Sequence, residues 1–488
     1  MKNILLVEPR SPDFNIFSLY KIPRLGLALL GTQAAQAGYD VKIVYQESSA
    51  LRRRQILEAD LVGFSITTST APEGYRLAAM VRALDAWKEK PTIIVFGGVH
   101  ATFEPEEALR CADYVFRGEA DMTFVPFLDA LKRGEPHPRL EGLSWKTEEG
   151  VHHEPPAASP VDMDVHPSPD WSLFEGYRPQ VGAVMTSRGC PHDCSFCSVT
   201  AMLGRKYRTR SLDLVMQDLS QIRNRSVFFY DDHFASNPAR TKELLRRIIA
   251  ERGKTHNVKR FSAQVRVEVA KDPELLQLMR QAGLRQLFIG FESVNPQSLV
   301  LYNKHQSLKD IDEAIRVIHR HGIWIHGMFV LGSDADTLET FEETPRFCRR
   351  NKMETVQYLV LTPLPGTRHY RSLEAQKRII CRDWSRYDCF NAVYLPEKMT
   401  PYQLQKGMLE AMKRFYTLRS IPRWLIRAQP WVAFLHLAGW VILRLWMGKN
   451  RGCLRSMRKD ARDLFLPKRK GKRFAAAEGA LNPQASRS

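Results

Sequence analysis

Ala183-Val184-Met185-Thr186-Ser187-Arg188-Gly189-Cys190-Pro191-His192-Asp193-Cys194-Ser195-Phe196-Cys197 places a short apolar, strand-like run directly before three closely spaced cysteines. Iron–sulfur clusters are usually held by four cysteine thiolates, so a compact C-x3-C-x2-C trio offers three ligands to a four-iron cluster and leaves one iron open to a substrate. Two other readings compete. A structural zinc ion wants four ligands, and His192 would have to be the fourth from an awkward place inside the first gap. A disulfide fits only an oxidising compartment.

Outward from this stretch, strand candidates recur at Ala183–Thr186, Val227–Tyr230, Phe261–Val265, Gln286–Phe291, Trp324–Val330 and Val356–Leu361, separated by helical stretches such as Thr241–Glu251 and Leu308–His319. Six β/α units predict a parallel barrel or partial barrel whose active site faces the strand C-termini, and the cysteine loop follows the first strand on that face. Toward the N-terminus, apolar runs at Ile4–Val7, Val41–Val44, Leu61–Ile66 and Ile93–Phe96 predict a second parallel sheet covered on both faces, a doubly wound Rossmann-like α/β domain. Ligands of such folds lie beyond the carboxyl ends of the strands, which here carry Glu8-Pro9-Arg10, Ser65 with Thr67 and Thr68, and Gly97-Gly98-Val99-His100. Neither a G-x-G-x-x-G fingerprint nor a P-loop with its lysine is present at these turns.

The trio, with aromatic Phe196 before its last cysteine, resembles the cluster motif of radical S-adenosylmethionine (SAM) enzymes. The resemblance implies that Cys190, Cys194 and Cys197 hold a [4Fe–4S] cluster whose open iron binds the amino and carboxylate groups of SAM. One electron from the cluster then breaks a carbon–sulfur bond to give a 5'-deoxyadenosyl radical. It further implies SAM contacts from Phe196, from Asp231 or Asp232 after strand two, and from Gly290, Glu292 and Ser293 after strand four. Gly327 in strand five matches a segment that packs against adenine, and Arg266 after strand three could pair either with SAM's carboxylate or with Glu268. Thr362-Pro363-Leu364-Pro365-Gly366-Thr367 is similar to a turn of the cobalamin-linked branch.

The first domain resembles the cobalamin-binding domain that precedes many radical SAM domains, through Ile22–Leu27, Ser65–Thr70, Gly97–Thr102 and Arg117-Gly118-Glu119. That resemblance implies a cobalamin site at Ser65, Thr67, Thr68, Gly97, Gly98, His100, Gly118 and Glu119. The D-x-H-x-x-G signature that supplies an axial histidine is missing, so cobalt is expected to lack one. Related enzymes methylate isoprenoid or hopanoid lipids, tailor natural products, or close a ring in bacteriochlorophyll biosynthesis. The expectation is a methyltransferase acting on an unactivated carbon of a hydrophobic or lipid-like substrate. Alternatives are a radical oxidoreductase or cyclase on a tetrapyrrole-like molecule, and a non-catalytic cobalamin or redox sensor. The low-potential electron would come from a donor such as flavodoxin or ferredoxin.

The 488 residues carry eight cysteines and a formal charge of +19. Met1-Lys2-Asn3 runs straight into a strand without a signal peptide, predicting a cytoplasmic protein with reduced thiols. The expected organisation is 1–135, the cobalamin-type domain; 136–179, a proline-rich semi-rigid spacer; 180–370, the radical SAM domain; and 371–488, a mostly helical region. Within the last, Trp431–Leu443 is apolar but interrupted by His436 and followed by Arg444, and reads as a surface-lying helix rather than a span of roughly 20 apolar residues. Eleven basic residues between Lys449 and Arg473 face only Asp460 and Asp463, which suits the inner face of an anionic membrane at about 1 kcal/mol per residue. No nucleic-acid module accompanies them.

Overall fold

A computed structural model describes residues 1–11, 22–157, 161–177, 179–450 and 452. The tail from 453 onward, with most of the basic tract and Cys453, lies outside the described residues.

The first sheet contains β1 (Asn3–Glu8), β2 (Asp40–Tyr45), β3 (Leu61–Ser65), β4 (Ile93–Gly97), β5 (Tyr114–Phe116), β6 (Leu143–Thr147) and β7 (Gly150–His153). Their order is β2-β1-β3-β4-β5-β6-β7, parallel through β5 and antiparallel thereafter. Apolar residues fill both faces of β1. Ile4 and Leu6 pack with Leu27 and Phe127 on one side, whereas Leu5 and Val7 pack with Leu77 and Val81 on the other. Each such fully buried side chain contributes about 1.5–3 kcal/mol. Because β2 and β3 flank β1 on opposite sides, the chain reverses direction there and opens a crevice at the strand C-termini, where Glu8 sits.

The second sheet follows β8 (Gly182–Val184), with β9 (Ser187–Arg188) and β10 (Arg208–Thr209) forming a separate two-stranded ribbon. β11 (Ser226–Phe229), β12 (Arg260–Val265), β13 (Leu284–Glu292), β14 (Trp324–Leu331) and β15 (Thr355–Val360) complete six parallel strands in sequence order. β8 and β15 are the two edges of this sheet, so it is an open, partial (β/α)6 barrel. Helices start where the sequence supplies caps: Asn237 accepts from the Arg240 N–H ahead of Pro238–Glu251, and Ser307 and Asp310 form a capping box on Leu308–Arg320. The latter helix buries Ile311, Ala314, Ile315 and Ile318, one stripe at helical spacing. Alternation along β13 sends Leu287, Ile289 and Phe291 to the helices. Phe288 faces the other way, with its ring 5.6 Å from Phe228 and 4.7 Å from His326, so these three strands present aromatic rings to the lumen.

The connector departs from expectation. The region 136–179 is not a free spacer: β6 and β7 extend the first sheet, and Asp170 N–H donates to Thr32 Oγ1 at 2.8 Å. The carbonyls of Met163 and His166 accept from Arg210 of the barrel at 2.9 and 2.8 Å. β5 was not foreseen because three residues are too short to show a period. At the C-terminus, helix Pro401–Phe415 packs over β15 through Leu404, Met408 and Met412, joining the barrel's own core.

Candidate active site

The cysteine loop leaves the ribbon at Gly189, whose φ is +87° and whose hypothetical Cβ would stand 2.6 Å from the Lys206 carbonyl oxygen; only glycine fits. The loop is then tied down along its length. Gly189 N–H donates to Asp232 Oδ2 at 3.0 Å, Ser195 N–H to the Tyr302 carbonyl at 3.1 Å, and Asn303 Nδ2 to the Asp193 carbonyl at 2.7 Å. Arg368, just beyond the Pro363–Thr367 turn, donates to the same carbonyl at 2.7 Å, and the Phe196 ring packs edge-on to Tyr302 at 5.2 Å.

Cys190, Cys194 and Cys197 are half-buried, and none of the described cysteines forms a disulfide. Burial pushes the Cys197 thiol up to about 12, so a bound cation is needed to make it a thiolate. The Arg266 Nη1 lies 3.9 Å from Cys194 Sγ and supplies positive charge beside a soft donor set. His192 stacks on His233, ring centroids 5.7 Å apart. Among the described residues no three His, Cys, Asp or Glu are already gathered around a single point.

The carboxylates divide by function. Asp231 is buried and accepts four hydrogen bonds, from N–H and hydroxyl of both Thr186 and Ser187, at 2.6–3.1 Å. That fills its acceptor sites and makes it a clamp on the strand entering the cysteine loop rather than a ligand for an ammonium group. Asp232 holds Gly189 and remains partly open beside the loop. Glu292 ends β13 with φ +64° across a bulge and is ion-paired with buried Lys304 at 2.7 Å. Sequence reasoning missed this partner, because nothing in Asn303-Lys304-His305 is a motif; the signal was only that a buried glutamate needs a cation. Gly290 makes room for the pair: a Cβ there would meet Glu292 Oε1 at 2.3 Å and Lys304 Nζ at 3.0 Å.

Three further site residues have partners within the protein. Ser293 is fully buried and accepts from the Asn295 N–H at 3.0 Å, so it shapes a turn. Gly327 lies in the middle of β14, where a Cβ would strike Met353 Sδ at 2.8 Å and Phe329 at 3.0 Å, so it opens space for core packing. Arg266 takes Glu268, at 3.1 Å, and the Lys304 carbonyl, at 2.6 Å, as its partners.

The two sheets meet at their C-terminal ends. Arg188, two residues before Cys190, bridges Glu119 and Asp121 of the first domain, the latter at 3.0 Å, and Arg208 reaches Glu119 at 2.8 Å. Burial alone would raise the Asp121 carboxyl, yet Arg188 and His166 hold it below its ordinary value. Glu119 is thereby an interdomain anchor. His100 is likewise enclosed: it is fully buried, its Nε2 3.5 Å from Glu107 and its ring 5.1 Å from Trp384 of the C-terminal region. Of the remaining first-domain residues, Thr67 and Thr70 cap one another, and buried Thr68 begins the same turn. Gly98, φ +93°, lies against the Ile66 backbone and Ser65 Oγ, directly after Gly97. Gly118, φ +81°, faces open space. Ser65, Thr67, Gly97 and Gly118 stay partly exposed at the crevice.

Residues 184–348 match the Radical SAM superfamily, and residues 17–128 match the B12 binding domain. The chain is 29% identical over 434 residues to an uncharacterized methyltransferase of Pyrococcus horikoshii, covering 85% of this chain and 92% of that one. It is 29% identical to the anaerobic magnesium-protoporphyrin IX monomethyl ester cyclase of Cereibacter sphaeroides (78% and 63% covered) and 28% to the hopanoid C-3 methylase of Methylococcus capsulatus (81% and 76%). The fold is shared with the radical S-adenosylmethionine methyltransferase TsrM from Kitasatospora setae, at TM-score 0.65, 20% identity and coverage of 77% and 78%. The chain belongs to the cobalamin-binding radical SAM enzymes. The cofactors of this class are a [4Fe–4S] cluster, SAM and cobalamin, and three free thiols beside a guanidinium, an open Gly118 and a two-sided crevice fit them.

Proposed function

We propose that this enzyme methylates an unactivated carbon of a hydrophobic, lipid-like molecule. The supporting observation is the seam itself: Arg188, two residues before Cys190, is paired with Glu119 and Asp121 beyond β5, which brings the strand C-termini of the first domain beside the cysteine loop. Relatives named as methyltransferases, one of them acting on hopanoids, agree with that chemistry.

When bound, the cofactors supply a one-electron cleavage of SAM and a transferable methyl group. The chain's own residues then have separate tasks. Cys190, Cys194 and Cys197 would hold the cluster, and Phe196 packed on Tyr302 braces the loop just before the last of them. Asp232 and the Glu292–Lys304 pair present charge to SAM's polar groups, while Gly290 keeps the backbone close. Ser65, Thr67, Gly97, Gly98 and Gly118 border the cobalamin crevice. The lumen rings Phe228, Phe288 and His326 give an apolar substrate a water-poor wall. Burial lowers His326 to about 4, so it stays neutral there at physiological pH. A low-potential flavodoxin or ferredoxin in the reducing cytoplasm is the fitting electron source.

The test is anaerobic reconstitution, then incubation of cell lipid extract with methyl-labelled SAM. Label in an apolar product together with released 5'-deoxyadenosine supports the reading. Turnover with 5'-deoxyadenosine but an unlabelled product assigns an oxidoreductase or cyclase, and no SAM cleavage at all assigns a sensor.

A further inference from the structure

Helix Pro430–Lys449 is apolar on every side yet covered on only one. Val432, Ala433, His436, Ile442, Leu443 and Trp446 are buried against the barrel, and His436 is fixed by hydrogen bonds to Ser420 Oγ at 2.8 Å and the Glu354 carbonyl at 3.0 Å. On the opposite face Trp431 (52% exposed), Phe434 (52%), Leu437 (41%), Val441 (39%) and Leu445 (62%) form one stripe at helical spacing, continued by Leu425 and Ile426 of the preceding helix. Pro430–Gly448 has a mean hydropathy of 1.4, long and apolar enough by composition to cross a bilayer. Its anchored inner face makes it a helix lying on the protein instead, with a row of large apolar side chains left in water. A contiguous row of this kind marks an interaction site.

The charge around it names the partner. Between residues 411 and 459 the sequence has eleven lysines and arginines and not one aspartate or glutamate. Arg444 lies over the Trp440 ring at 3.6 Å, the amphipathic pairing suited to a headgroup layer. Next to the stripe, a cavity of about 240 Å³ at the floor of the barrel is lined by Trp324, Lys352, Trp424 and Arg427, with Glu354 already engaged by His319 and the Ile325 N–H. An apolar face carried on a stretch of chain whose charged residues are all cationic complements an anionic lipid surface.

We propose that this face docks on an anionic phospholipid bilayer, with the stripe from Trp431 to Leu445 in the acyl boundary and Lys352 and Arg427 toward a headgroup phosphate. The docking face runs along the outer side of β15, from Glu354 at its N-terminal end to Phe390 beside its C-terminal end, and needs no particular chemistry in the barrel. It therefore stands whatever reaction the enzyme performs.

Vesicle flotation of the full chain tests it, using phosphatidylcholine with and without phosphatidylglycerol. The wild type is expected to float with the anionic vesicles. W431S/F434S/L445S is expected to lose about tenfold in binding with its circular dichroism and melting curve unchanged. K352E/R427E, which leaves the stripe intact, is expected to lose the preference for phosphatidylglycerol. The proposal is overturned if the wild type stays in solution, if the stripe variant floats equally well because the basic tail alone suffices, or if the protein ignores vesicles and retards single-stranded RNA at the same salt.

Discussion

Arg188 and Asp121 stand 3.0 Å apart with both side chains almost fully buried, one on the strand that launches the cysteine loop and the other beyond the last parallel strand of the first sheet. A pair like this holds two domains in one orientation. Removing one member leaves a buried charge without its counter-ion, which costs about 3–5 kcal/mol. Arg188→Met is therefore expected to lower the thermal midpoint substantially, and adding Asp121→Asn to recover most of the loss; paired calorimetric scans check both.

The Glu292–Lys304 pair makes a second forecast. Gly290→Ala puts a methyl 2.3 Å from Glu292 Oε1, and Lys304→Met strips the glutamate of its cation. Each change is expected to weaken SAM binding at least about tenfold, roughly one missing charge-assisted hydrogen bond, with iron content unchanged. Equilibrium dialysis with SAM on reconstituted protein reads it.

Gly327 separates packing from binding. Gly327→Ala forces a methyl against Met353 and Phe329 and should cost about 1–3 kcal/mol through overpacking. SAM affinity measured in the same dialysis is expected to stay at the wild-type value.

Acid sensitivity follows from His436. Burial lowers its imidazole from 6.5 to about 4, against the Glu354 carbonyl bond that raises it. As pH falls below about 6.5 the unfolded chain takes up the proton first, so stability is complete above that value, declines toward pH 4 and is flat below, a loss of about 3 kcal/mol. His436→Gln is expected to remove this part of the slope in urea titrations between pH 4 and 7.

Most of the architecture was legible because burial on both faces writes continuous apolar runs, and all ten strands read from such runs are present within a residue or two at each end. Cys190, Cys194 and Cys197 stand out because their spacing is local. The protein partners of Asp231, His100 and Glu119 were hidden for the opposite reason. Each sits at a loop position where a ligand is expected, but its partners, Thr186 and Ser187, Trp384, and Arg208, are brought in by tertiary contacts tens to hundreds of residues away. Lys304 was invisible for the same cause. The packing of Gly327 depends on Met353, a helix and a turn further on.

The central claim is that three thiols on one loop hold an iron–sulfur cube with an open corner. Electron paramagnetic resonance of the anaerobically reconstituted, dithionite-reduced chain, recorded with and without SAM, addresses it most directly. The account predicts a [4Fe–4S]⁺ signal that changes on SAM addition and vanishes in Cys194→Ala. A chain that retains zinc in place of iron, or a cluster signal indifferent to SAM, would contradict it.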